Sequence, residues 1–243
     1  MKYRPTVFGG FAALCWVAAT ATWWTLMLSV GVHAQQDDPP AQHIIHHDRW
    51  PIKTGVPDGA DLDHPIQVNL TDLIDRTKLV NPAGAKPKDK AFDAKRYPAF
   101  TNPLKLKEGD IVSTEGWLFL VAGEKDDGDY HVQISANKSD GNNCLIVETP
   151  DPNGATITSH DLHDRFQRSR DFLKSKLPVV SEPSGGGTLT KTPVYIRVTG
   201  VLFFDGDHVK KDGGTQDRGK HGMKAATLWE LHPVVDVTDA TPP

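Results

Sequence analysis

Five side chains in three predicted strands have the chemistry of a metal or ligand site. They are two imidazoles and three carboxylates: Asp129, His131, Glu148, Glu230 and His232. Mixed nitrogen and oxygen donors suit zinc, manganese or iron better than calcium. A bound divalent ion also lowers the pKa of a coordinated water enough to support hydrolysis. The sequence therefore predicts a ligand-binding site at these residues and, within it, a possible metal site with His131, Glu230 and His232 as ligands.

The same residues admit a structural interpretation. His232 precedes a proline and can hydrogen-bond to backbone at the end of its strand, while Glu230 can form a cross-strand ion pair with Arg197. A third interpretation is direct contact with a ligand, without a metal. Residue type alone leaves these alternatives open, so the positions of the side chains must decide between them.

Strand periodicity indicates how the five groups can meet. Tyr130, Val132 and Ile134 alternate with polar residues, so the polar side chains of this strand should point away from the core. The same counting puts Glu148 and the 230 and 232 positions on the polar side of their strands. If the three strands are neighbours, all five groups emerge on one outer face of the sheet.

The element order predicts the fold that makes these strands neighbours. Strand patterns cover residues 111–122, 130–134, 144–148, 194–204 and 225–232, the last extendable to 237, and a helix from about 159 to 177 follows the third strand. This β-β-β-α-β-β order predicts a mostly β protein with an OB-like five-stranded barrel, in which the strands neighbour one another in the order one, two, three, five, four. An α+β sandwich is the alternative. Gly116 and Gly200 are expected to mark bends.

The amino terminus has the pattern of an export signal. Lys2 and Arg4 precede an apolar run over residues 7–32, and Val32 and Ala34 occupy the positions that a signal peptidase reads. We expect cleavage after Ala34 and a secreted or periplasmic protein; the alternative is a membrane anchor formed by residues 7–32. The expected organisation is a signal peptide at 1–34, an irregular Pro-rich extension at 35–109 and the barrel domain at 110–239.

Two further groups of polar residues are weaker candidates. His43, His46 and His47 could bind a metal adventitiously, but they lie in the Pro-rich extension without a framework to hold them. Asp205 and His208 open a glycine-rich, locally basic loop before the last strand, where OB-type domains often frame a binding groove. The alternative is an exposed flexible loop. His160 and His163 are expected on the solvated side of the helix.

Charge and cysteine content exclude several classes of partner. The 27 Lys and Arg residues face 31 Asp and Glu residues, so the body of the chain is mildly acidic and nucleic acid is an unlikely partner. Membrane contact is expected only through an uncleaved N-terminal segment. Removal of the signal would leave Cys144 as the only thiol, which excludes an intrachain disulfide and a cysteine metal cluster.

Several strings resemble a known group of proteins. They are RWPIKTG at 49–55, DGDYHV at 127–132, VETPDP at 147–152, YIRVTGVLFFD at 195–205 and WELHPVVDV at 229–237. In this order they are similar to an uncharacterised group of bacterial secreted proteins, with DYH and ELHPV the most specific parts. The resemblance implies an exported bacterial domain and brings no activity with it.

Taken together, these patterns predict an exported bacterial β-barrel module that binds a ligand or a partner protein. The alternative is a metal-dependent hydrolase that uses the His and carboxylate residues on the barrel face.

Overall fold

The structure is a computed structural model that describes residues 49–86, 89–124, 127–154, 156–181, 187–210 and 218–243. The predicted signal peptide, its cleavage after Ala34 and the cluster of His43, His46 and His47 lie outside the described residues.

A β-barrel follows a run of short elements. The early elements are α1 (Trp50–Lys53), β1 (Ile66–Gln67), α2 (Leu70–Leu73) and a 3₁₀ turn at Lys90–Phe92. The barrel strands are β2 (Ile111–Gly123), β3 (Tyr130–Ser135), β4 (Cys144–Thr149), β6 (Thr188–Phe204) and β7 (Ala225–Asp239). Between them lie α3 (His160–Lys176), the two-residue β5 (Val180–Ser181) and a 3₁₀ turn at Gly206–His208.

Strand pairing closes the sheet. The order runs β2, β3, β4, β7, β6, and β6 returns to pair with β2. All neighbours are antiparallel except β4 and β7, which are parallel. This closure confirms the predicted barrel and its strand order, and it excludes the α+β sandwich. The small strands β1 and β5 pair with β2 outside the barrel path.

The local patterns that predicted these elements hold. Tyr130, Val132 and Ile134 belong to the main apolar core, as their alternation indicated. Ser159 caps α3 by accepting a hydrogen bond from the Leu162 backbone N–H at 3.4 Å, and the helix buries Phe166. The polar side of β3, which was expected to point away from the core, is buried as well. Its outer face must therefore be covered by other parts of the chain.

The two predicted bends have different outcomes. Gly200 marks an irregularity, because the register between β6 and β7 shifts on both sides of it. Gly116 pairs in regular register with Ile196, so no bulge lies there, and the bend at this position stays a prediction. The irregularity of β2 lies instead at Phe119, where the register shifts against both β3 and β6. Gly116 serves close packing, since a Cβ there would lie 2.6 Å from the Leu70 Cδ2 atom of α2.

The segment before the barrel packs onto it. Leu70, Leu73 and Leu79 are buried and belong to the same apolar cluster as the barrel core. Arg49, at the start of the described chain, donates a hydrogen bond to the Phe204 carbonyl oxygen at the end of β6. Short elements with few apolar residues are therefore held by long-range contacts with the barrel.

Candidate functional site

Strand register brings the five predicted site residues together. His131 on β3 lies directly opposite Glu148 on β4, and Glu230 on β7 pairs with the neighbouring β4 position at Ile146. Asp129 comes immediately before β3, and His232 lies two residues beyond Glu230 on the same side of β7. The convergence expected from side-chain alternation is observed on the outer face of β3, β4 and β7.

The His232 ring is the centre of this group. Its Nε2 atom lies 3.1 Å from an Asp129 carboxylate oxygen, and its Nδ1 atom lies 3.0 Å from Glu148 Oε2. Glu230 Oε1 lies 3.5 Å from the same Nδ1 atom. On the other side of Glu148, the Oε1 atom is 2.7 Å from His131 Nδ1. The two imidazoles are thus linked through one carboxylate.

Contrary to the expectation of an exposed outer wall, the group is buried. Asp129, Glu230 and His232 have no exposed surface, and His131 is 6% exposed. The cover consists of α1 together with the residues around 205–208 and 218–220, which line the cleft above the group. These covering segments lack the apolar periodicity from which a packed position could be predicted.

Lys53, the last residue of α1, inserts its ammonium group among the carboxylates. Its Nζ atom lies 3.1 Å from Glu148 Oε2, 3.3 Å from an Asp127 oxygen and 3.7 Å from an Asp129 oxygen. The N-terminal segment therefore contributes a positive charge to the site that the barrel strands build. Sequence reasoning did not assign Lys53 to the site, although it stands in the RWPIKTG string.

A second cation, Arg218, holds the opposite end of the group. Its Nη2 atom lies 2.9 Å from Glu230 Oε2 and 2.9 Å from Asp205 Oδ2. The expected pairing of Glu230 with Arg197 is wrong, because Arg197 donates to Glu115 across β2 and β6. The Arg218 side chain is also largely buried, although neighbouring described residues of the basic loop such as Gly219 and His221 are exposed.

The buried charges of the site shift one another's pKa values. Burial lowers the pKa of Lys53, but Glu148 and Asp129 outweigh this and hold that pKa well above its usual value. Burial and Lys53 also lower the pKa of His232, yet its carboxylate contacts raise that pKa to about 10. Burial alone would raise the pKa of Glu148, but Lys53 and His131 depress it well below the usual range. At neutral pH the His232 ring and the Lys53 ammonium are therefore charged and face an ionised Glu148.

Asp129 behaves differently from Glu148. Burial and the nearby Asp127 carboxylate raise the pKa of Asp129, and the opposing effects of His232 and Lys53 do not cancel this rise. Both Asp129 carboxylate oxygens and both His232 ring nitrogens lack a partner with hydrogen-bond geometry among the described residues. Their short mutual contacts are therefore ion-pair contacts whose angles are poor for hydrogen bonds.

The geometry groups the metal-capable residues differently from the prediction. One ligand atom each from Asp129, Glu148 and His232 lies within 4.8 Å of the others. The predicted ligand His131 has both ring nitrogens engaged, Nδ1 with Glu148 and Nε2 with Gln133 Oε1 at 3.2 Å. Glu230, also predicted as a ligand, has one carboxylate oxygen held by Arg218.

An open cleft of about 460 Å³ lies over this group. Its lining includes Lys53, His131, Glu148, His208, Arg218 and Lys220. His208 donates from Nδ1 to Asp205 Oδ2 at 2.6 Å, and both residues line the cleft, so the Asp205 and His208 candidates of the loop do reach the site. His160 and His163 contact Asp164 on α3 instead and do not line the cleft.

The strings that carry the resemblance meet at this site. RWPIKTG supplies Lys53, DGDYHV supplies Asp129 and His131, and VETPDP supplies Glu148. YIRVTGVLFFD ends in Asp205, and WELHPVVDV contains both Glu230 and His232. The signal that could have identified Lys53 was therefore present in the sequence, as a charged residue within one of the strings on which the expected resemblance rests.

No protein-family model matches the chain, and comparisons with curated proteins and with solved structures give no significant match. Within the part of the chain that the structure describes, no helix is both long and apolar enough to cross a membrane.

Proposed function

We propose that this protein is an exported β-barrel module that binds a small polar ligand in the cleft over β3, β4 and β7. The observation that carries the proposal is the convergence of charged residues from distant parts of the chain beneath one open cleft. Ionised groups taken out of water cost several kcal/mol each, and apolar residues of similar size would often stabilise a fold better. Retaining so many charges at one place favours a role in binding.

The position of the cleft agrees with this proposal. A β-β-β-α-β-β barrel with this strand order supports an OB-type classification, and OB-type domains commonly bind ligands over the second and third strands. Those strands are β3 and β4 here. The volume falls within the range of about 300–1,000 Å³ typical of small-molecule sites, which favours a small ligand over a partner protein.

Narrowing the cleft entrance tests ligand binding. His208→Trp places a large side chain on the cleft wall, and His160→Trp is a matched control on the exposed surface of α3. A panel of small polar and charged compounds is screened by thermal shift, and hits are measured by calorimetry. We expect hits that bind the wild type and the control equally but bind His208→Trp at least about 10-fold more weakly. Equal binding by all three proteins, or a panel without hits, would contradict the proposal.

Export is tested separately. The full-length chain is expressed in a bacterium, and the protein recovered outside the cytoplasm is analysed by mass spectrometry. We expect a mature protein that begins at Gln35, because the peptidase recognition positions end at Ala34. Full-length protein retained in the membrane would instead support the anchor at residues 7–32, and full-length protein in the cytoplasm would contradict export.

A second candidate function is a metal-dependent hydrolase. It is favoured by the group of Asp129, Glu148 and His232 beside an open cleft with room for a substrate. Protein purified without a His tag is assayed against chromogenic phosphate and carboxylate esters, with chelator and with added Mn²⁺ or Zn²⁺. Metal-restored turnover that is lost in His232→Asn would support the hydrolase, whereas no turnover, or turnover that survives the chelator, would contradict it.

A further inference from the structure

We propose that Asp129, Glu148 and His232 form a divalent-cation site and that Lys53 occupies the place of the ion in the metal-free protein. This cation site would supply the metal of the second candidate function, the hydrolase. Ester turnover by the site rests on that candidate, whereas cation binding does not, because binding requires no reaction.

The first argument is unused bonding capacity at one point. Asp129 and His232 have no exposed surface, and four of their polar atoms have no hydrogen-bond partner among the described residues: the two carboxylate oxygens and the two ring nitrogens. Buried polar groups in folded proteins are nearly always satisfied by protein, water or an ion. One of the carboxylate oxygens lies 3.1 Å from His232 Nε2, and Nδ1 lies 3.0 Å from Glu148 Oε2, so a single group bound beside the ring could engage several of these atoms.

The second argument is the donor set. Two carboxylate oxygens and one imidazole nitrogen lie within 4.8 Å of one another. This combination suits Mn²⁺, Zn²⁺ or Fe²⁺, and three protein ligands leave positions for water or a ligand. Only one His232 nitrogen can bind an ion, and the other stays beside a carboxylate that can orient the ring: Asp129 lies at Nε2, and Glu148 and Glu230 lie at Nδ1.

The third argument is the position of Lys53. Its ammonium contacts Glu148 and Asp129, which are two of the three ligands, and also Asp127. The Lys53 ammonium lies beside the carboxylates that would bind the ion. A divalent cation bound to the same carboxylates would be within a few ångströms of the ammonium, and the two positive charges would repel each other. The ion and the ammonium therefore compete. The side chain of Lys53 is flexible and lines the cleft, so the ammonium can move into the cleft when an ion binds.

The competition makes an unusual mutational prediction. Lys53→Met removes the ammonium and keeps a side chain of similar length, so we expect Mn²⁺ to bind this variant about 10-fold more tightly than the wild type. Lys220→Met is the matched control, because Lys220 lines the same cleft but pairs with Glu124. We expect the control to bind Mn²⁺ as the wild type does, within about twofold.

The test uses Mn²⁺ and Zn²⁺ alone as probes. Protein without a His tag is stripped with chelator, binding is measured by calorimetry and by manganese paramagnetic resonance, and circular dichroism checks the fold of every variant. We expect one ion per chain in Lys53→Met, and a loss of at least about 10-fold when Asp129→Asn, Glu148→Gln or His232→Asn is added. Any one folded ligand variant suffices for the comparison.

Several results would overturn the proposal. Absence of stoichiometric binding in both the wild type and Lys53→Met would remove the site. Unchanged binding in the ligand variants would place the ion elsewhere, and weaker binding in Lys53→Met would remove the competition. Stoichiometric binding without ester turnover would leave the cation site standing while the hydrolase fails.

Discussion

Two buried charged clusters on this protein differ in how completely their atoms are bonded. In the first, Arg49 donates from Nη2 to both Glu108 carboxylate oxygens at 2.9 and 2.8 Å, and from Nη1 to the Phe204 carbonyl oxygen at 2.6 Å. Glu108 in turn accepts the backbone N–H groups of Tyr97 and Phe204 at 2.6 and 3.0 Å. The Arg49 guanidinium also stacks over the rings of Tyr97 and Phe203, each at 4.8 Å.

The second cluster, around His232, is as deeply buried but is not saturated. Asp129 and His232 make ion-pair contacts without hydrogen-bond geometry, and Glu230 Oε1 also lacks a partner among the described residues. The difference separates two uses of buried charge. A saturated cluster ties the N-terminal segment to the barrel, whereas an unsaturated one keeps the capacity to bind something else.

The largest expected effect comes from breaking the saturated cluster. Glu108→Ala leaves the buried Arg49 charge without its carboxylate, and we expect a loss of about 3–5 kcal/mol in the free energy of unfolding. Urea denaturation of the variant and the wild type measures it. A loss below about 1 kcal/mol would show that the cluster does not hold the N-terminal segment on the barrel. The distinction between a structural and a binding cluster would then fail.

Removing a charge from the unsaturated cluster should cost less. In Asp129→Asn no hydrogen bond with good geometry to the Asp129 carboxylate oxygens is lost, and Glu148 and Asp127 still balance His232 and Lys53. We expect a loss of about 1–2 kcal/mol by the same urea measurement. A cost equal to that of Glu108→Ala would mean that the two clusters are equally structural.

An exposed ion pair provides the lower reference. Arg197 pairs with Glu115 on the outer surface of β2 and β6, and the Arg197 side chain is 52% exposed. Solvent screens such a pair, so Arg197→Ala should change the free energy of unfolding by no more than about 1 kcal/mol. A larger loss would show that the pairing of β2 with β6 depends on this ion pair.

The smallest expected effect is a pH dependence at the cleft wall. The bond to Asp205 raises the pKa of His208 above 6.5 against the effect of burial, with Arg218 opposing and Glu230 assisting. The resulting stability is present below pH 6.5 and is lost as the pH rises through the higher folded-state pKa. In His208→Gln, thermal melts between pH 6 and 9 should therefore show a shallower decline in Tm than the wild type. An identical decline would exclude His208 as its source.

Much of the barrel could be predicted because its signals are local. Alternation places Tyr130 and Val132 inside, which leaves His131 outside, and the Ser159 cap marks the start of α3. Gly116 forms no bulge, because a glycine can also be required by close packing, and only the neighbouring Leu70 reveals that requirement. The geometry groups Asp129 and Glu148 with His232, whereas the sequence predicted His131 and Glu230 beside it, because periodicity gives a face of a strand and not the partner of each atom.

What the chain decides by itself is which side of each strand is polar, since the pleat turns successive side chains to opposite faces. What the tertiary structure decides is the surroundings of that polar face. The Arg49–Glu108 pair joins residues 59 positions apart and holds α1 over the barrel. The Lys53 ammonium thereby lies among the carboxylates of the site. The burial of His232 and the balance of charges around it depend on this covering. The covering segments are irregular, and long-range contacts rather than local patterns set their paths.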